Sequence, residues 1–342
     1  MDEFQEIKSI GFPALIEKIK EYKGHVRNDT VFGIGDDASV FKSGKKDDLF
    51  TTTSEIFLEG VHFDLTYSPF QHLGYKLVSA TVSDLYAMNS NPMQLLVSIA
   101  IPNKVSVQMV EQFFNGVDTA CKGYEVELTG GDTTASHQIL AVSMSAIGKA
   151  NKKEIVYRKG AQDGDLICVT GDLGSALAGL RILLREKQEW QQNDVDNHYF
   201  QPDLSAYEYV VKRQLMPVAR RDLILALQES DDLPTSMIDL SQGLLADLKN
   251  LLHRSGVGAE IYSPAVPISP DTRKVADEME EDVDKYAFYG GEDYEMLFTM
   301  SEEKAGAFRK TFDDFTVVGK IDAKSKKLLL NTGEGETAEF DI

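Results

Sequence analysis

A chain of 342 residues has room for about two domains at roughly 150 residues each, and 42% hydrophobic with 26% charged residues is a globular balance. Asp and Glu outnumber Lys and Arg by 55 to 35, a formal charge of −20, which repels nucleic-acid phosphates and anionic lipid, so an anionic substrate would need metal ions as mediators. No apolar stretch reaches the ~18 residues of a membrane span, the N-terminal residues lack a signal-peptide core, and Cys121 and Cys168 have no metal or redox spacing. The expectation is a soluble cytoplasmic protein with two reduced thiols and neither nucleic-acid nor membrane partners.

The first segment, from Glu3 to Tyr22, has helical apolar spacing that Gly11 and Pro13 are expected to break into two pieces. Strand signals follow at Val31–Gly33, Ser39–Phe41 and Leu49–Thr53, then a helix over Gln71–Met88 and a buried strand over Met93–Ile101. A helix over Val107–Lys122 is closed by Gly123, and strands at Glu125–Thr129 and Ile139–Ile147 flank a Gly-Gly-Asp-Thr-Thr loop. A polar connector at Asn151–Glu154 precedes a second unit, so the domains are read as residues 1–150 and 151–342. That unit opens with a strand at Asp165–Thr170 and a helix over Ser175–Arg185; residues 186–205, with the only Trp at 190, read as a surface loop or a helix extension. Helices are expected at Arg220–Glu229, Leu244–Ser255 and Thr272–Met279, and strands at Met296–Met300 and Phe315–Ile321. Alternating strands and helices make the class α/β in two domains.

The chemistry lies in acid-tipped loops. Gly33-Ile34-Gly35-Asp36-Asp37-Ala38 matches the dinucleotide fingerprint in letters but runs into a strand and turn instead of a helix, and its two carboxylates would repel a pyrophosphate. Asp84 interrupts an apolar helical stripe, Asp132 follows Gly130-Gly131, Asp239 precedes Leu240-Ser241-Gln242-Gly243, and Glu292-Asp293 follow Gly290-Gly291. Any one could be a turn former or helix cap, but the set across both halves is what a shared site for hard cations needs. Walker A, protein-kinase, zinc-protease and G-x-S-x-G hydrolase signatures are absent. The helix opened by Gly171-Asp172-Leu173-Gly174 could hold an anion at its N-terminus, or its small residues could simply let it pack closely.

In order and register these motifs, with Glu59-Gly60-Val61-His62-Phe63, Val82-Ser83-Asp84-Leu85 and Arg158-Lys159-Gly160-Ala161, resemble thiamine-monophosphate kinase. That family sits in the superfamily of aminoimidazole ribonucleotide synthetase and selenophosphate synthetase, and the Glu-Gly-Val-His-Phe box favours the thiamine branch. The resemblance covers about residue 5 to about residue 320. It implies a two-domain fold that dimerises through the N-terminal mixed sheet, and Mg²⁺-assisted in-line phosphoryl transfer from ATP to thiamine monophosphate. Carried over by motif, Asp37, Thr53, Ser54, Glu55, Asp84, Asp132, Asp239 and Gln242 would surround the metals, with Asp132, Asp84 and Asp37 central to catalysis. Gly131, Asp132, Arg158 and Ser241 would contact ATP, with Phe114 against the nucleotide, and His62 and Glu292 would contact the thiamine substrate. Dependence on K⁺ is left open.

Two positions depart from the pattern: Glu55 and Gln242 stand where the family has Asp, and the last residues, Glu336–Ile342, resemble its aromatic C-terminal box only faintly. The competing expectations are a sister enzyme of the superfamily and a nucleotide-binding relative that has lost catalysis.

Overall fold

The computed structural model describes residues 9–22, 27–192, 203–333 and 337–342. Its first helix, α1 (Gly11–Ile19), begins at the Gly and Pro that were expected to interrupt it. The first turn of a helix has unpaired N–H groups in any case, so a proline there costs no hydrogen bond.

Six strands build the first sheet: β1 (Thr30–Phe32), β2 (Ser39–Lys42), β3 (Asp48–Leu58), β4 (Asn91–Pro102), β5 (Glu127–Ser136) and β6 (Ala141–Asn151), in the order β1-β2-β3-β6-β4-β5. All pairs are antiparallel except β4 with β5. The Gly-Gly-Asp-Thr-Thr segment is therefore not a loop: it lies inside β5, paired to β4 from Gly130–Leu96 to Thr134–Ala100. Gly131 has φ +151, and a β-carbon there would stand 1.7 Å from the Val97 carbonyl oxygen, so the glycine serves close strand approach and not a turn. Alternation along β3 turns Thr51, Thr53 and Phe57 inward and Ser54 and Ile56 outward.

Helices α2 (Phe70–Ala87) and α3 (Val107–Tyr124) cover the inner face. They approach through reciprocal glycines: a β-carbon on Gly74 would lie 2.0 Å from the Phe113 oxygen, and one on Gly116 1.9 Å from the Gln71 oxygen. Helix α3 continues through Gly123, and the residue that stops it is Glu125, a left-handed cap at φ 57.

The second domain comprises β7 (Leu166–Thr170), α4 (Ser175–Gln192), α5 (Glu208–Leu215), α6 (Arg221–Gln228), β8 (Ser236–Leu240), α7 (Leu244–Ser255), β9 (Gly258–Tyr262), α8 (Pro270–Glu278), α9 (Val283–Tyr289), β10 (Glu295–Met300), α10 (Glu302–Phe308), β11 (Phe315–Asp322), β12 (Lys327–Asn331) and β13 (Thr337–Asp341). Its sheet runs β13-β12-β9-β11-β7-β10-β8. Trp190 lies on α4, which takes residues 186–192 as a helix extension; residues 193–202 lie outside the described set, as does Glu336 of the C-terminal box.

Helix α2 is sandwiched between the two sheets. Its Val78, Val82 and Leu85 share one core with Met237 of β8 and Met296 and Phe298 of β10. Among the described residues no helix is long and apolar enough to cross a membrane.

The glycine contact gives a direct test. Gly74→Ala forces a methyl into backbone and should lower stability by about 2 kcal/mol or more, whereas Gly123→Ala, with open space around it, should be neutral or stabilising by up to about 1 kcal/mol. Urea unfolding of both variants checks this, and equal stability of Gly74→Ala and wild type would refute the close contact.

Candidate active site

Three carboxylates meet where the domains face each other. Asp37 comes from the loop between β1 and β2, Asp84 from α2 and Asp239 from β8, and each offers an oxygen within 4.8 Å of the others. Asp37 and Asp239 are buried, while Asp84 is partly open. Each has its own support. The Arg158 guanidinium grips both oxygens of Asp37, with Nε 2.8 Å from Oδ2. Thr53 Oγ1 donates to Asp84 at 2.6 Å. Ser83 Oγ donates across the domain seam to Asp239 at 2.9 Å, and Ser241 Oγ reaches the other oxygen of Asp239 at 3.4 Å.

These supports do not neutralise the cluster. Two charges 4.8 Å apart repel by about 3 kcal/mol at an effective dielectric of about 20. Burial pushes the carboxyls of Asp84 and Asp239 well above the ordinary range, and the neighbouring carboxylates, Asp239 for the first and Asp37 for the second, add to it. Burial and the charge of Asp37 raise Asp36 to about 7, and burial raises Glu55 as well. Hard oxygen donors held this close, with Arg158 paired to Asp37, fit divalent metal ions of the Mg²⁺ class, which would remove the repulsion.

The sheet leaves a way in. Strand β2 pairs with β3 only as far as Thr52, so beyond it β3 has a free side next to the Asp36–Asp37 loop. Thr53 and Glu55 face the cluster side of that opening, and Ser54, bonded to Ser145 on β6 at 2.8 Å, faces the other. Asp132 also lies on the outward face, opposite Ser98. Three strand spacings, roughly 14 Å, separate the lines of β3 and β5, so within one chain Asp132 and Gly131 stand apart from the cluster. Phe114, on α3, is half-buried and edge-on to Phe113, with ring centroids 5.4 Å apart.

A cleft of about 390 Å³ opens between the domains, lined by His62, Phe63, Tyr67, Leu177 and Glu292 among others. His62 Nδ1 accepts the Leu58 N–H at 3.0 Å, which leaves Nε2 as the protonated, donating nitrogen. The two residues assigned from separate motifs to one substrate thus share one cleft.

Other parts of the motifs serve the fold. Gln242 is exposed, and its backbone N–H donates to the buried Asp247, which reaches back from the first turn of α7 at 2.9 Å. The N-terminus of α4 is filled from within: Asp293 accepts from Gly174 N at 2.7 Å and Ala176 N at 3.1 Å. An internal carboxylate thus occupies the place an external anion would take.

Comparison with known proteins agrees with this geometry. Residues 35–150 match AIR synthase related protein, N-terminal domain, and residues 162–329 its C-terminal domain. Thiamine-monophosphate kinase of Aquifex aeolicus is 33% identical over 318 residues, 93% of this chain and 92% of the relative, and that of Escherichia coli K12 is 32% identical over 330 residues, 94% and 95%. The chain belongs to the thiamine-monophosphate kinase family. Among solved structures of the family, AaThiL complexed with AMPPCP and TMP superposes with a TM-score of 0.81 at 30% identity, covering 98% of this chain and 99% of that one. The kinase from Stenotrophomonas maltophilia gives 0.72 at 30% identity, covering 95% and 96%. A HypE–HypF complex, at 18% identity and a TM-score of 0.68, shares the fold.

Residues to which the sequence reading gave no site role also line the candidate site: Ser83, Asp36, Asp247, and the Lys76 and Gln214 partners of Glu292. For Lys76 a signal existed, a lysine within the apolar pattern of α2.

Asp239→Asn keeps an acceptor for Ser83 and removes one of the crowded charges. The variant should melt above wild type without divalent metal. It should also lose most of the Mg²⁺-dependent stabilisation, which for one site amounts to about 2.7 kcal/mol at Mg²⁺ about 100-fold above Kd and is read as a rise in Tm. A wild-type Mg²⁺ response in the variant would remove Asp239 from the metal site.

Proposed function

We propose that the chain transfers the γ-phosphoryl group of ATP to the phosphate of thiamine monophosphate, giving ADP and thiamine diphosphate. The observation that carries this reading is that Glu55, bonded to Asp84 and near His62, links the three-carboxylate cluster to the cleft shared by His62 and Glu292. The acceptor is a phosphate monoester with a second pKa of about 6, so it is already largely a dianion and needs no general base. Asp37, Asp84 and Asp239 would hold Mg²⁺, which when bound would supply charge relief for an ATP tetra-anion meeting that dianion. Thr53 and Glu55 stand close enough to share in holding it, and Gln242, neutral and exposed, is the weakest of the carried-over ligands. The protein's own part is positioning: Arg158 holds Asp37 in place, Ser241 stands beside Asp239 for the nucleotide, and His62 Nε2 orients the substrate as a donor.

The carried-over roles of Gly131, Asp132 and Ser54 need a second copy. Ser54 and Asp132 lie on the outward sheet face, which also exposes Ile56 and Leu96, and a homodimer formed there would bring Asp132 of one protomer, with the adjoining backbone of Gly131, toward the opening beside β3 of the other. The reading places the enzyme in the cytoplasm, where the buried, unpaired Cys121 and Cys168 stay reduced.

An ADP-release assay with ATP, Mg²⁺ and thiamine monophosphate tests the reaction, and absence of turnover would overturn it. His62→Ala should raise KM for thiamine monophosphate about tenfold and change kcat less than about threefold; a packed histidine without a substrate role would lower Tm and leave KM alone. Asp84→Asn and Asp132→Asn should each be inactive as folded dimers. Mixed after dissociation and reassembly, they should recover about a quarter of wild-type activity if one site draws on both protomers, and none if each chain completes its own.

A further inference from the structure

The cleft wall holds a partly buried ion pair in which one member, Lys76, lies outside all the motif assignments. Lys76 sits in the middle of α2 with its side chain 6% exposed, and its Nζ donates to Glu292 Oε2 at 2.8 Å. Gln214 of α5 donates to the same oxygen at 3.2 Å. Among the described residues nothing donates to the other oxygen, Oε1. The backbone of Glu292 is left-handed, φ 66, with its N–H bonded to the Ser241 carbonyl at 3.0 Å. Glu292 and Gln214 line the cleft, and Lys76 stands behind them.

Packing alone does not account for this lysine. Burying an ammonium is costly, and replacing a buried ion pair by well-packed apolar residues is often neutral or stabilising. What the lysine does achieve is orientation: two donors from two domains converge on one carboxylate oxygen and leave its twin unclaimed among the described residues. The lysine also balances the charge of Glu292, so the free oxygen works as a hydrogen-bond acceptor more than as a counter-ion.

We infer that Lys76 and Gln214 are positioning residues that reserve Glu292 Oε1 for one N–H donor of the ligand, and so set the specificity of the cleft. The inference rests on reading the cleft as the thiamine monophosphate pocket. That molecule, its hydroxyl esterified, carries a single N–H donor group, the exocyclic amine of its pyrimidine ring. An analogue with a carbonyl oxygen in that place would set acceptor against acceptor.

Steady-state kinetics of wild type, Lys76→Met, Glu292→Gln and the double variant, with both the amine substrate and the carbonyl analogue, test this, alongside Tm. Wild type should prefer the amine by about 100-fold in kcat/KM. Lys76→Met should raise KM about tenfold with kcat within about threefold, and should narrow the preference. In the double variant Lys76→Met should add nothing to Glu292→Gln, because the lysine acts through that carboxylate. Additive effects, or a Lys76→Met protein whose Tm shifts while KM and the preference hold, would overturn the inference. Should Lys76→Met fail to fold, Gln214→Leu carries the same expectation at about threefold in KM, and an unchanged KM there would overturn it. Loss of the variants' pattern in an active wild type defeats this inference alone, whereas a wild type inactive on thiamine monophosphate defeats the underlying reading and the inference with it.

Discussion

Mutual repulsion among carboxylates held in a poorly solvated seam governs this structure. Asp37, Asp84 and Asp239 come from three elements in two domains and approach within 4.8 Å, an arrangement no fold reaches by default. Its supports are shared out so that each acid is held by a different neighbour: Arg158 for Asp37, Thr53 for Asp84, Ser83 for Asp239. Ser83 adjoins Asp84 in the chain yet serves Asp239 across the seam. Cations bound among the three carboxylates would relieve the residual cost.

Helix α2 makes the arrangement possible. It brings Lys76, Ser83 and Asp84 into an interior otherwise filled by Val78, Val82 and Leu85. Lys76 and Ser83 meet partners from the other domain and Asp84 one from β3, while the buried Ser79 and Thr81 bond to α3 and within α2. The glycine contact with α3 holds this helix against its own sheet while its other face meets β8 and β10.

Much of this was legible in the residues. Long periodic segments such as α2, β4 and α7 fall close to their expected bounds, because apolar spacing over many residues is a strong signal. The acid set was legible through its Gly-rich settings. Strand β8 was not: five consecutive buried residues show no alternation to read. Gly130-Gly131 looked like a turn because a close backbone approach to Val97 leaves the same letters in the chain. The sidedness of Thr53, Ser54 and Glu55 follows from period-two geometry alone, and grouping all three on one centre overlooked it. The Asp293 cap and the Lys76–Glu292 pair depend on contacts between residues 117 and 216 positions apart, which no local pattern reveals.

The core that α2 shares with both sheets has a mechanical consequence. Val82 packs in the same cluster as Met237 and Phe298, so the halves are not two bodies joined by a hinge. Prying them apart would expose that cluster to water, at a cost that grows with every apolar side chain uncovered. Ligands must therefore enter and leave through motions of the surrounding loops, with the frame between the sheets held rigid. The chain should melt as a single cooperative unit, and neither half is expected to survive as an independent module when cut from the other.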